Sequence, residues 1–228
     1  LGLLTPEAEA RLEREAGEKL AALKQGAAEA GVMLETVIAH GDDPYKVIVE
    51  QAGELGVDLI VMGRRGRRGL ARLMLGDATA KVIGYAPCDV MVVPKASNMW
   101  RQILFAVDGS PATEKAIPTV AAFVKKLGTP LSVLSVLVPS HNEERRAEAK
   151  PLVEQAAARF KAEGVAADAL VESGPADEMI VAVANRKPDT LIVLGSHGRT
   201  GLGRVLFGSN AERVINQTSG PVLVTRAA

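Results

Sequence analysis

The residues best suited to chemistry stand in Leu191-Ile-Val-Leu-Gly195-Ser-His-Gly198, after which nine residues separate Gly198 from Gly208-Ser209. An apolar run that breaks into glycines lets the backbone approach an anion and turn its amides toward it. A helix opening at Gly208-Ser209 adds unpaired N–H groups, a partial positive charge and a hydroxyl donor. Together these features suit a polyphosphate. Asp108 closes another apolar run, Ile103-Leu-Phe-Ala-Val107, and places a carboxylate at the same end of its strand. The pattern has plainer readings as well. Gly195 and Gly198 also suit a tight strand-to-helix turn, and Ser209 and Asp108 suit simple helix caps.

The same arrangement occurs earlier as Leu59-Ile-Val-Met-Gly63-Arg-Arg-Gly66, with Gly76 nine residues on. There Asp77 replaces the serine, which caps a helix well but repels a phosphate. Arg64, Arg65, Arg67, Arg68 and Arg72 crowd that loop, where they offset the repulsion, bind another anion or stand solvated. The second occurrence is therefore the expected anion site, and the first a weakened or altered one.

The elements that would position these residues alternate. Thr5-Pro6-Glu7 predicts a helix start, and an Ala/Glu/Leu-rich amphipathic run extends to about Ala30. A loose alternation over Val32 to His40 predicts a strand, and Asp42-Asp43-Pro44 a helix to Gly56. Leu59 to Met62 and Val90 to Val93 are continuous aliphatic runs, the pattern of strands covered on both faces. Between them a helix is expected from Gly76 to Gly84, and Lys95 to Trp100 reads as a linker. Beyond it come five strands, at Ile103 to Val107, Leu131 to Val138, Ala167 to Glu172, Leu191 to Leu194 and Val222 to Thr225. Helices to Leu127, from His141 to Gly164, from Pro175 to Arg186 and from Ser209 to Gln217 separate them. Such alternation calls for parallel strands, right-handed crossovers and an α/β doubly wound sandwich. Ligands in these sheets sit beyond the carboxyl ends of the strands, where the glycine loops lie.

Gly195, Gly198 and Gly208 each stand 132 positions after Gly63, Gly66 and Gly76, and the same offset carries Val90 to Val93 onto Val222 to Thr225. A constant offset through strand, loop, helix and strand marks a tandem duplication. It predicts two domains, 1–96 and 101–228. It also sets Leu1 opposite Val133, so the first copy lacks its front strands, and a three-stranded remnant would leave an apolar edge open. About 35 further N-terminal residues are expected from the size of a strand–helix–strand unit.

Composition narrows the classes. The chain has 228 residues, with 27 Lys+Arg against 27 Asp+Glu, so no global field draws nucleic acid or a membrane surface. Aromatics are 3% of residues, too few for base-stacking platforms. The single cysteine, Cys88, allows no internal disulfide and reads as a small buried hydrophobe. No run reaches the roughly 18 apolar residues of a membrane span, and no signal-peptide pattern opens the chain, so a cytoplasmic protein is expected. Three scattered histidines make no metal site. His40 and His141 are expected to face solvent and His197 to donate from its loop. No P-loop lysine signature provides for fast phosphoryl transfer.

Gly195 to Ser209, the Asp108-Gly-Ser turn, the Gly195-Ser-His-Gly-Arg-Thr-Gly-Leu run and Ala86-Pro87-Cys88 before a valine-rich strand together resemble the ATP-binding branch of the universal stress protein family. Residues 101–228 look like one complete family domain, and 1–96 like a second without its front. The resemblance implies five-stranded, adenine nucleotide alpha hydrolase-like sandwiches. It implies that Val107, Val136 and Leu194 border an adenine, and that Asp108 contacts the ribose or a magnesium ion. Gly195, His197, Gly198, Arg199, Gly208, Ser209 and Asn210 would then hold the phosphates. Ala211 stands where the family often has a hydroxyl, which Thr79 retains in the first copy. The family's domains pair through their last strands, so a tandem chain would do so internally, with a homodimer as a further assembly. The implied function is an ATP-binding stress-response sensor or regulator. A slow magnesium-dependent ATPase or phosphotransferase and an interaction scaffold are the alternatives.

Overall fold

A computed structural model of the chain describes residues 5–64, 75–198 and 207–226. Gly66, Arg65, Arg67, Arg68 and Arg72 of the first loop, and Arg199 of the second, lie outside the described residues.

Two units divide the chain, Leu1–Asp43 and Pro44–Ala228. In the first, helix α1 (Pro6–Glu29) starts at an N-cap whose Thr5 hydroxyl accepts from the Ala8 amide at 3.3 Å. None of its residues is buried. Gly31 takes a left-handed turn at φ 71°, and the segment that follows is not a strand. The expected strand over Val32 to His40 fails because a strand exists only through a neighbour's hydrogen bonds. Val32, Met33, Val37 and Ile38 are all exposed, and His40 faces solvent against Glu13 at 3.1 Å.

The second unit is built on a single sheet. Its elements are α2 (Pro44–Glu54), β1 (Leu59–Gly63), α3 (Asp77–Tyr85), β2 (Asp89–Val93), β3 (Gln102–Ala106), α4 (Pro111–Leu127), β4 (Leu131–Leu137), α5 (Glu143–Ala147), α6 (Ala149–Ala162), β5 (Ala167–Ser173), α7 (Ala176–Asn185), β6 (Thr190–Gly195), α8 (Ser209–Gln217) and β7 (Val222–Thr225). The strand order is β1-β2-β7-β6-β3-β4-β5. Every neighbouring pair is parallel except β2 and β7. Among the described residues the second repeat thus supplies five parallel strands, and the first supplies two rather than the expected three.

The antiparallel seam carries the duplication into three dimensions. Met91 lies opposite Leu223, its own counterpart in the repeat, flanked by Val90 against Val224 and Val92 against Val222. A local two-fold axis therefore passes between Met91 and Leu223. All six residues are buried, so the seam is packed as tightly as the interior of either repeat.

Continuous apolar runs behave as strands buried on both faces should. Along β6, Leu191 and Val193 join one core with Phe105, Val133 and Phe160, while Ile192 and Leu194 join another with Val214, Ile215 and Ile180. The helix expected from His141 to Gly164 is divided into α5 and α6 at Glu148. Pro151 explains the division: its ring has no N–H to donate and clashes with the carbonyl of Ala147, four residues back.

One glycine in this unit has no room to change. A Cβ at Gly220 would stand 2.6 Å from the Thr190 carbonyl oxygen, backbone of the central strand β6. Gly220→Ala is expected to cost about 1–3 kcal/mol in urea unfolding. Gly53→Ala in α2, where a Cβ meets nothing within 4 Å, is expected to be neutral or slightly stabilising.

Candidate functional site

Strand order reverses at β3: the chain leaves it toward β4 and β5, then returns to its other side at β6. The loops after β3 and β6 splay apart at this switch point and open a crevice at their carboxyl ends. A cavity of about 580 Å³ fills it.

From the β3 side comes Asp108. Its Oδ1 accepts from the Ser110 amide at 3.0 Å and from the Thr113 hydroxyl at 3.5 Å, which anchors the turn into α4. Its Oδ2 points toward Gly198, where an added Cβ would stand 3.1 Å away. One carboxylate oxygen therefore shapes the turn and the other faces the glycine loop.

From the β6 side comes the loop itself. The Ser196 amide donates to Thr225 at 2.8 Å, and the Gly208 amide donates to the Ser196 carbonyl at 2.7 Å. These bonds draw Gly208 back against the strand end and start α8 at the cavity. Gly195 has little space for a side chain, since a Cβ would lie 3.1 Å from that of Ala112. Gly208 caps α8 with no side chain, so no side-chain oxygen competes for the helix's first amides. Ser209 and Asn210, at its first turn, are exposed to the cavity.

The sequence-derived set comes together here. Val107, Asp108, Val136, Leu194, Gly195, His197, Gly198, Gly208, Ser209 and Asn210 all line this one cavity. Ala211 lines it too, as a buried residue.

Sequence reasoning missed an outer wall. His141 ahead of α5, Arg145 within it, Glu148 at the break and Leu152 in α6 line the cavity. His141, expected to face solvent, is half-buried there. Burial, and then the neighbouring Arg145 cation, hold its pKa below the ordinary histidine value. Asp177, only 6% exposed, also reaches the cavity, with Gln217 donating to it at 3.2 Å and Arg213 3.7 Å away. The spacing of residues 141, 145, 148 and 152 was a helical signal, but nothing local said that this face turns toward the strand ends.

The first repeat repeats the loop closure. The Gly76 amide donates to the Arg64 carbonyl at 3.1 Å, as Gly208 does to Ser196, and the Thr79 hydroxyl donates to the Gly63 carbonyl at 3.2 Å. Asp77 is paired with Lys81 at 2.9 Å, so its charge is answered within its own helix. Cys88, expected to be buried, is half-exposed beside Asp89, and burial followed by that charge raises its pKa.

The profile of the family described as "Universal stress protein family" matches residues 2–94 and again 99–226. The chain belongs to the universal stress protein family. Among the family's curated members it is 27% identical over 173 residues to universal stress protein Slr1230 of Synechocystis, covering 74% of this chain and 58% of that one. It therefore spans a little more than half the length of that relative. A universal stress protein from Archaeoglobus fulgidus shares the fold with a TM-score of 0.76 at 23% identity, across 99% of this chain and 81% of its own. A second, from Pseudomonas aeruginosa, reaches 0.73 at 25% identity across 92% and 78%. The family model's two segments, like the 132-residue offset, assign one universal stress protein repeat to each half of the chain.

Proposed function

We propose that this universal stress protein binds an adenine nucleotide, ATP above all, in the cavity of its second repeat, and acts as a stress-response sensor or regulator. The observation that carries the reading is the convergence on one cavity of Asp108 Oδ2, the Gly195 and Gly198 backbone and the uncapped start of α8. An uncapped helix start with a serine hydroxyl suits a polyphosphate, and Val107, Val136 and Leu194 offer an apolar border for a flat base. The cavity volume of about 580 Å³ is of the size used for ligands of this class.

A magnesium ion fits this reading only as a companion of the nucleotide. Among the described residues no group of three or more His, Cys, Asp or Glu side chains could hold a metal. Asp108 is a single carboxylate, which suits an ion whose other ligands are phosphate oxygens and water. When bound, the ion would neutralise phosphate charge; Asp108 itself would hold the ion or the ribose.

Residues 1–96 and 101–228 are read as the two domains, and the first as a divergent partner in which Asp77 stands where the second has Ser209. Action in the cytoplasm and assembly into a homodimer belong to the same proposal. The released small molecules of the purified, denatured chain provide the test. ATP recovered by chromatography is the expected result. ADP that accumulates with time would favour the slow ATPase, and no nucleotide, with no binding on addition, would leave the interaction scaffold.

A further inference from the structure

Helix α8 presents its amino end to the proposed phosphates, and its carboxyl end is held by the other repeat. Arg64 follows directly after β1 and is half-buried. Its Nη1 donates to the Ile215 carbonyl at 2.9 Å and to the Thr218 carbonyl at 2.8 Å. These are the carbonyls that a helix end leaves without intrahelical partners, where a cation is also favoured by the helix dipole. The backbone of the same residue closes the first repeat's glycine loop, its amide donating to Val93 at 3.2 Å and its carbonyl accepting from Gly76 at 3.1 Å. Arg64 therefore joins the first loop to the second repeat's phosphate helix, instead of standing solvated among the loop arginines.

A mirrored contact shows what is particular to it. Arg226 donates through Nη1 to the Ile83 carbonyl at 2.7 Å and the Gly84 carbonyl at 2.9 Å, at the end of α3. Ile83 stands 132 positions before Ile215, so two arginines grip matching carbonyls of matching helices. The arginines themselves do not match. The counterpart of Arg64 is Ser196, buried beside His197, and the counterpart of Arg226 is Pro94. Only the helix gripped by Arg64 opens onto the cavity.

We propose that Arg64 is a positioning residue for the nucleotide site, setting from the first repeat where the amino end of α8 stands in the second. α8 has nine residues. At about 1.5 Å per residue such a short helix moves as a rigid rod, so a change at its carboxyl end is felt at Ser209. The effect on ligand rests on the nucleotide reading above; the effect on α8 does not.

Arg64→Ala and Arg226→Ala in the full chain form a matched pair, each removing one guanidinium from one helix end. Hydrogen exchange by mass spectrometry reads α8 and α3, and calorimetry reads ATP affinity. Arg64→Ala is expected to speed exchange in α8 and weaken ATP binding about tenfold. Arg226→Ala is expected to speed exchange in α3 and leave affinity within about twofold. Arg64→Lys, which keeps the cation and one donor, is expected to recover part of the affinity, and it stands in should the alanine variant not fold. Equal loss of affinity in Arg64→Ala and Arg226→Ala, or unchanged exchange in α8 without Arg64, would overturn the proposal. A wild-type chain that takes up no ATP would end the nucleotide reading alone, and α8 exchange would still decide the role of Arg64.

Discussion

Gly198→Val is expected to weaken ATP binding about a hundredfold, on the order of 2.7 kcal/mol, while the chain remains folded. Among the described residues, a Cβ at Gly198 meets one neighbour within 4 Å, the Asp108 Oδ2 at 3.1 Å. The protein therefore tolerates the new side chain with a small shift of one carboxylate. A ligand does not, because the valine branches project where the backbone must approach the phosphates, and the displaced carboxylate leaves its place facing the loop. Losing charge-assisted hydrogen bonds at about 1.5–3 kcal/mol each accounts for a change of this size. Equilibrium dialysis against labelled ATP, beside a thermal melt, checks it. Wild-type affinity in a folded Gly198→Val chain would remove the glycine loop from the site.

Phe105→Ala should produce the largest loss of stability, about 3–5 kcal/mol. Phe105 is fully buried in β3, the strand between β4 and β6, and meets Phe160 edge-on with ring centres 5.9 Å apart. Truncation removes that aromatic contact and leaves a cavity between the sheet and α6, whose walls belong to hydrogen-bonded strands that cannot collapse into it. Against a typical total of 5–15 kcal/mol, a loss of this size brings the unit near its unfolding threshold. Guanidinium unfolding followed by circular dichroism reads it. A cost below about 1 kcal/mol would mean that the Phe105 and Phe160 pair is not the core of this face.

Much of this architecture was legible in the sequence because it depends on local pattern. Leu191 to Leu194 and Val90 to Val93 can be buried only as strands covered on both faces, and the constant offset ties each to its glycine loop. That the candidate site's residues share one cavity was legible for the same reason: glycines, a helix start and a carboxylate at strand ends converge where parallel strands reverse their order. What escaped was non-local. Val32 to His40 has some strand character, but pairing needs a partner, and the sequence of a segment does not contain its neighbour. His141 and Arg145 stand in a segment that reads as helical without saying what it faces, and the structure starts the helix only at Glu143. Arg64 sits among five arginines that look equivalent along the chain, and only the antiparallel seam between β2 and β7 brings it to the carbonyls of α8.

The seam relates two similar repeats that differ at the starts of their loop helices. Its local two-fold axis relates Met91 to Leu223 and α3 to α8, yet Asp77 is answered by Lys81 while Ser209 is left facing a cavity. Symmetry in the scaffold is thus compatible with one site per chain.

The stoichiometry of ATP binding to the wild-type chain, measured by calorimetric titration, tests the central claim most directly. One nucleotide per chain, lost in Gly198→Val, is the expected result. No uptake of nucleotide, two equivalent sites, or a single site indifferent to Gly198→Val would contradict it.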